Sequence, residues 1–223
     1  TACECGDGSG PKARPCRGAH DRKLAAVAGS GTFATAATAA IAIDGVQYLN
    51  YMSVQSWGAP GRWVTNFSAI ATSRDNGQTW TKDQHAKWEN IFGLNKFQVS
   101  TMVPQGEYVY MFGTPNTRLG DVGLARVPKD QVLNKTAYQY WVNDTWAPVA
   151  DFANASTIVN APAGELSVRW NDERKVWQMT YLDTSKAAIT LRESATPQGA
   201  WSEGAPMVSA TQYPALYGGF MHP

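Results

Sequence analysis

The chain has 223 residues and a formal net charge of +1, which suits one large domain or two small ones with a substantial hydrophobic core. A balanced charge without basic runs argues against a nucleic-acid partner, because such proteins usually carry a basic patch. The nine Trp, nine Tyr and 20 Gly favour an all-β protein with many short strands and turns.

Residues 1–31 show no hydrophobic periodicity, and we interpret them as an irregular N-terminal segment. All three cysteines lie here, at Cys3, Cys5 and Cys16. An odd count without a nearby His or second Cys pair does not fit metal-ligand spacing, so we predict no metal site. A disulfide from Cys16 to Cys3 or to Cys5 stays open. No apolar stretch in the chain approaches the length of a membrane-spanning helix.

From residue 32 onward a strand pattern appears and then repeats. Each unit ends in a late tryptophan, and turn signals such as Asp44-Gly45 separate the strands. The predicted strands are 37–43, 46–54 and 67–73 in the first unit, 99–103, 108–113, 122–127 and 138–142 in the second, and 165–170, 176–182 and 187–193 in the third. A fourth unit opens at Tyr213.

Repeating units of three or four antiparallel strands are typical of β-propeller blades. A β-sandwich, which also has short strands at regular spacing, is the alternative. A closed propeller needs at least four blades. We therefore expect residues 32–223 to form an incomplete propeller, with three blades and the start of a fourth.

Three features are candidates for a ligand site. Glu165 begins the innermost strand of the third unit, where a carboxylate can face the central channel and act in glycoside hydrolysis. The alternative is that Glu165 forms a structural ion pair with Arg118 or Arg169. Arg118 and Asp121 lie in the loop 115–121, from which they can bind sugar hydroxyls, unless this is a plain solvated connection.

The third feature is the long loop from Trp57 to Trp63, whose two rings suit stacking on a polysaccharide; packing between blades is the alternative. His222 follows the aromatic stretch that opens the fourth unit and is a further candidate for a ligand contact. The octet from Ser73 to Trp80 fits the Asp-box of sialidase-type propellers, in which Asp75 closes a turn.

A series of segments resembles one bacterial family. The segments include Gly123-Leu124-Ala125-Arg126-Val127, Gly164-Glu165-Leu166-Ser167-Val168, Pro197-Gln198-Gly199-Ala200-Trp201-Ser202 and Tyr213-Pro214-Ala215-Leu216-Tyr217-Gly218. Together they look like the endo-D-arabinanase glycoside hydrolases, formerly a domain of unknown function, which cut the arabinan of mycobacterial and corynebacterial cell walls. The resemblance covers about residues 32–223.

This resemblance implies a five-bladed propeller, a secreted or cell-envelope location, a polysaccharide substrate and no cofactor. The family's acids lie in a Thr-Asp-Leu-Gly-type strand, which this sequence lacks, and in a Phe-Gly-Asp-Thr-type strand, of which Gly6-Asp7-Gly8 is a candidate remnant. We therefore predict Glu165 and Asp7 as catalytic carboxylates. The alternative is a non-catalytic carbohydrate-binding or adhesion propeller.

Overall fold

Three antiparallel β-sheets make up the computed structural model, which describes residues 34–93 and 95–222. Within each sheet the strands follow one another in chain order. Sheet I contains β1 (Ala34–Ile43), β2 (Val46–Trp57), β3 (Trp63–Ser73) and β4 (Thr81–Glu89). Sheet II contains β5 (Val99–Gln105), β6 (Tyr108–Thr114), β7 (Gly123–Pro128), β8 (Gln139–Val142) and β9 (Thr145–Ala147). Sheet III contains β10 (Ser167–Asn171), β11 (Val176–Asp183), β12 (Ala188–Ser194) and β13 (Ala205–Ser209).

Helical structure in the described residues is confined to short 3₁₀ turns. They span Ile91–Gly93, Lys129–Gln131, Lys135–Ala137 and Val149–Asn154. Among these residues, no helix has the length and apolar character that crossing a membrane requires. The sheets therefore supply the architecture, as the all-β prediction expects.

Tight turns set the register of sheet I. Asp44 and Gly45 both have positive φ, 48° and 77°, which is the geometry of a two-residue hairpin that suits strand twist. At the Asp-box, Asp75 accepts backbone N–H bonds from Gln78 and Thr79 at 3.0 and 2.9 Å. Hydrogen bonds from Thr79 and Ser73 are the main reason why the pKa of Asp75 lies well below its ordinary value. Asp75 thus closes a turn, as predicted, and lies outside the pocket described below.

Apolar side chains fill the two spaces between the sheets. One cluster joins sheets I and II around Trp88, Phe97, Met111 and Tyr140. Trp88 is fully buried, and its Nε1 donates to the Tyr140 hydroxyl at 2.7 Å. The second cluster joins sheets II and III; its members include Phe112, Leu124, Trp177 and Met179. Burial of these faces is the main force that holds the three sheets together.

The first strands of the sheets lie side by side, since β5 contacts both β1 and β10. A β-sandwich consists of two stacked sheets, whereas this structure has three sheets whose first strands are neighbours. The sandwich alternative is therefore wrong. Most predicted strands are present, but β4 and β13 were not predicted. Beyond β13 no strand occurs up to residue 222, and the fourth unit remains a prediction.

Candidate functional site

A pocket of about 460 Å³ opens where β1, β5 and β10 begin. Early residues of all three strands line it: Ala37 and Thr38 from β1, Val99 from β5 and Ser167 from β10. The rest of the wall is formed by Met52, residues 57–63, Arg118, Glu165, Leu166 and the segment 217–220. Four residues that the sequence singles out, namely Trp57, Trp63, Arg118 and Glu165, therefore share one cavity.

An ion pair lies in the wall of the pocket. Arg118 Nε donates to Glu165 Oε1 at 2.6 Å, and both side chains are largely buried, with 24% and 30% exposure. Arg169 instead donates to the Gln178 side chain at 2.9 Å. Of the two ion pairs considered from sequence, the structure thus forms the one with Arg118. The prediction that Glu165 begins this strand is wrong, because β10 starts two residues later, at Ser167.

Two glycines, which have no side chain, leave room for the side chain of Arg118. A Cβ at Gly61 would lie 3.1 Å from Arg118 Cδ, and a Cβ at Gly164 would lie 3.1 Å from Arg118 Cγ. The Arg118 backbone N–H also donates to the Gly61 carbonyl at 3.0 Å. The aliphatic part of the Arg118 side chain therefore packs closely between Gly61 and Gly164.

Trp57 and Trp63 form the aromatic part of the pocket. They face each other across the end of the β2–β3 pair, with ring centroids 6.1 Å apart and planes inclined by 53°. The predicted long loop is wrong in extent, because both tryptophans belong to strands and only residues 58–62 connect them. Trp57 is 59% exposed, whereas Trp63 is only 7% exposed. Trp57 is thus free to stack on a ligand, and Trp63 forms the floor.

The sequence analysis did not single out Arg62, Tyr217 or Phe220, whose large side chains also line the pocket. Tyr217 and Phe220 are 70% and 78% exposed, and the Arg118 guanidinium lies 6.0 Å from the Tyr217 ring centroid. A hydrogen bond from Thr180 Oγ1 to the Gly219 carbonyl, 2.6 Å long, ties this segment to sheet III. The Tyr-Gly-Gly-Phe composition was the available signal, since aromatic residues beside glycines suit an exposed binding loop.

Asp121 and His222 do not line the pocket. Asp121 pairs with Lys96 at 2.9 Å and accepts a hydrogen bond from Thr157. Burial alone would raise the pKa of Asp121, but the bonds from Thr157 and Lys96 and the charge of Lys96 outweigh burial and lower it. His222 contributes its backbone carbonyl to Arg169 at 3.0 Å. Asp7 lies outside the described residues.

The reactions that this pocket could support depend on Glu165, the carboxylate in its described lining. Within residues 34–93 and 95–222, Glu165 is the one acidic residue of the lining, and no group of His, Cys, Asp and Glu could hold a metal ion. Paired with a guanidinium, a carboxylate suits the role of a base, a nucleophile or a hydroxyl acceptor, whereas the acid role needs a protonated group. Apolar rings beside this polar pair are typical of a ligand pocket.

Curated relatives match most of this chain. Notoamide biosynthesis cluster protein J from Aspergillus sp. (strain MF297-2) is 35% identical over 186 residues, which are 80% of this chain and 48% of that protein. Notoamide biosynthesis cluster protein J' from Aspergillus versicolor is 33% identical over 186 residues. The chain thus spans about half the length of the curated relatives it matches.

Two glycoside hydrolases are among the solved structures with a similar fold. Zg3597, a family 117 glycoside hydrolase from Zobellia galactanivorans, has a TM-score of 0.53 and 13% identity over 78% of this chain and 56% of its own. CoXyl43, a GH43 β-xylosidase/α-arabinofuranosidase from a compost microbial metagenome, has a TM-score of 0.51 and 10% identity over 86% of this chain and 68% of its own. At these identities the likeness concerns the fold alone.

A family match covers nearly the whole sequence. Residues 16–223 match the family described as "Domain of unknown function (DUF4185)", and the chain therefore belongs to this family.

Proposed function

We propose that the chain is part of a five-bladed β-propeller glycoside hydrolase that acts on cell-wall arabinan outside the cell. The observation that supports this best is the pocket itself, which brings Trp57, Trp63, Arg118 and Glu165 together where the first strands of three sheets begin. The glycoside hydrolase-like fold agrees with the reaction class. The choice of arabinan as the substrate is more specific than the reaction class. It rests on the resemblance of the sequence motifs and on the arabinofuranosidase named among the similar structures.

Each pocket residue has a role in this proposal. Glu165 is a catalytic carboxylate that Arg118 orients through its Nε donor. Trp57 and Trp63 hold the sugar ring through apolar contact. Hydrolysis of a glycosidic bond generally needs a second carboxyl group, for which Asp7 stays the candidate from the sequence.

Release of oligosaccharides from arabinogalactan tests the proposal. The full-length protein, of which this chain is proposed to be a part, should release arabinose-containing fragments, and Glu165→Gln should abolish that release, because the amide can neither ionise nor act as a nucleophile. Glu173→Gln is the matched control, since Glu173 is exposed in the turn after β10, at the end of that strand away from the pocket. No release by the parent, or equal release by Glu165→Gln, refutes the hydrolase assignment.

A second candidate is a carbohydrate-binding propeller without catalysis. The lone carboxylate of the described lining, tied to Arg118, favours it. This candidate predicts that arabinan binds without turnover and that Trp57→Ala or Trp63→Ala weakens that binding. Turnover by the parent protein rules it out.

A further inference from the structure

The described lining of the pocket carries more positive than negative charge. Two arginines, Arg62 and Arg118, accompany one carboxylate, that of Glu165. Glu165 compensates the charge of Arg118 through the contact to Nε at 2.6 Å. Arg62 differs, because within residues 34–93 and 95–222 no ion pair or hydrogen bond engages its side chain. One positive charge at the pocket is therefore left without a partner among these residues.

Arg118 also retains donors for a ligand. Among the described residues its side chain makes one hydrogen bond, from Nε to Glu165, so the terminal nitrogens Nη1 and Nη2 have no partner there. Neither nitrogen belongs to the buried unpaired polar atoms of the described chain, and both therefore stay accessible where Arg118 lines the pocket. Four of the five N–H donors of the guanidinium are thus available to a bound molecule.

The neighbouring backbone restricts the position of both arginines. Cβ atoms at Gly61 and Gly164 would lie 3.1 Å from the Arg118 side chain, so its aliphatic part packs closely between the two glycines. Arg62 closes a turn in which its carbonyl accepts from the Gly58 N–H at 2.9 Å. A donor that is held in place loses less conformational entropy when a ligand binds than a mobile one does.

These donors restrict the chemistry of the ligand. The terminal nitrogens of a guanidinium present parallel N–H groups in one plane, which match the two oxygens of a carboxylate. Glu165 occupies the Nε edge, so a ligand carboxylate at the terminal edge would have the guanidinium between itself and Glu165. Two neighbouring sugar hydroxyls can accept from the same nitrogens, but they carry no charge and gain little from Arg62. A carboxylate uses both arginines.

We propose that the pocket binds a saccharide unit that carries a carboxylate. The terminal nitrogens of Arg118 donate to this carboxylate, and Arg62 attracts it from the mouth of the pocket. The exposed ring of Trp57 covers the apolar face of the same unit. This inference rests on the proposed carbohydrate function and adds a chemical requirement to it. Arabinose is neutral, so the natural polysaccharide should contain an acidic unit or substituent.

Calorimetric titration of the full-length protein with a matched pair of probes tests this requirement. One probe is an oligogalacturonide, which carries a carboxylate on each unit; the other is its methyl ester, which has the same sugars without the charge. The parent should bind the acid at least about tenfold more tightly than the ester. Added salt should weaken binding of the acid and leave that of the ester nearly unchanged.

Three substitutions locate the effect. Arg118→Lys keeps the charge but loses the planar pair of donors, and should reduce the preference for the acid by about fivefold or more. Arg62→Gln should reduce it by about two- to fivefold and lessen the salt dependence. Arg74→Gln is the matched control, since Arg74 is exposed just past the end of β3 that lies away from the pocket. It removes the same charge as Arg62→Gln and should bind both probes like the parent.

The outcomes separate this inference from the function on which it rests. Equal binding of acid and ester by the parent, or tighter binding of the ester, overturns the carboxylate requirement. An Arg118→Lys variant with a native circular dichroism spectrum and an undiminished preference also overturns it. A neutral arabino-oligosaccharide is titrated in parallel: if it binds and the acid does not, the carbohydrate site stands and this inference fails. If the parent binds none of the three probes, both fail.

Discussion

Replacing Tyr140 by Phe tests how sheets I and II are held together. The substitution removes only the hydroxyl that accepts the Trp88 Nε1 hydrogen bond at 2.7 Å. Trp88 is fully buried and packs edge-on against Tyr138, with ring centroids 5.1 Å apart. The indole N–H would therefore stay in the core without a partner, at a cost of about 1–3 kcal/mol.

Urea unfolding followed by tryptophan fluorescence measures this loss. For a chain of this size, a loss of about 2 kcal/mol corresponds to a fall in Tm of roughly 4–8 °C. Tyr108→Phe is the matched control, because Tyr108 is only half-buried and removing its hydroxyl should change stability by less than about 0.5 kcal/mol.

A double-mutant cycle with Trp88→Phe isolates the hydrogen bond. Once the indole donor is absent, Tyr140→Phe should cost far less than it does in the parent, with a coupling energy of at least about 0.5 kcal/mol. Additive effects, or a Tyr140→Phe variant no less stable than Tyr108→Phe, would show that the reasoning about this contact is wrong.

Three further substitutions test other parts of the molecule. In Gly164→Ala the new Cβ would lie 3.1 Å from Arg118 Cγ and 3.2 Å from the Leu182 carbonyl oxygen; we expect a loss of about 1–3 kcal/mol of stability and weaker arabino-oligosaccharide binding, measured by urea unfolding and calorimetry. Asp75→Asn should destabilise the protein at neutral pH, because hydrogen bonds from Thr79 and Ser73 depress the pKa of Asp75 below its ordinary 3.8 in the folded state. The parent's advantage over Asp75→Asn is fully present above pH 4 and should shrink as the pH falls further; a pH-independent difference contradicts this account. Trp57→Ala removes an exposed ring, so ligand binding should weaken by about 0.5–1.5 kcal/mol while Tm stays near that of the parent; a large fall in Tm would indicate a structural role instead.

Strands with a clear apolar pattern could be predicted from the sequence. β2, β6 and β11 bury most of their residues, so their hydrophobic runs are visible. β4 carries Lys, Asp, Gln and His and buries only Ala86 and Trp88, and β13 is exposed over most of its length. Outer strands of this kind form because a neighbouring strand offers hydrogen bonds. The local sequence does not show where that neighbouring strand lies, so such strands are hard to predict.

The candidate site was predictable in its residue types and less so in its contacts. Aromatic residues near Gly and Pro marked Trp57 and Trp63, and an acid near the start of an inner strand marked Glu165. The sequence left the partner of Glu165 open, because Arg118 lies 47 residues away and only the packing of sheets II and III decides the pair. The ion pair of Asp121 was equally hard to predict, because its partner Lys96 lies in the connection between sheets I and II.

The residues that line the pocket range from Ala37 to Phe220 and come from all three sheets. The pocket therefore exists only while the three sheets are assembled. Any compound that occupies it must then oppose unfolding, by about 2.7 kcal/mol when its concentration is a hundred times the Kd. For a chain of this length that means a rise in melting temperature of several degrees. Melting curves recorded across a library of oligosaccharides would therefore identify the natural ligand without any assay of turnover.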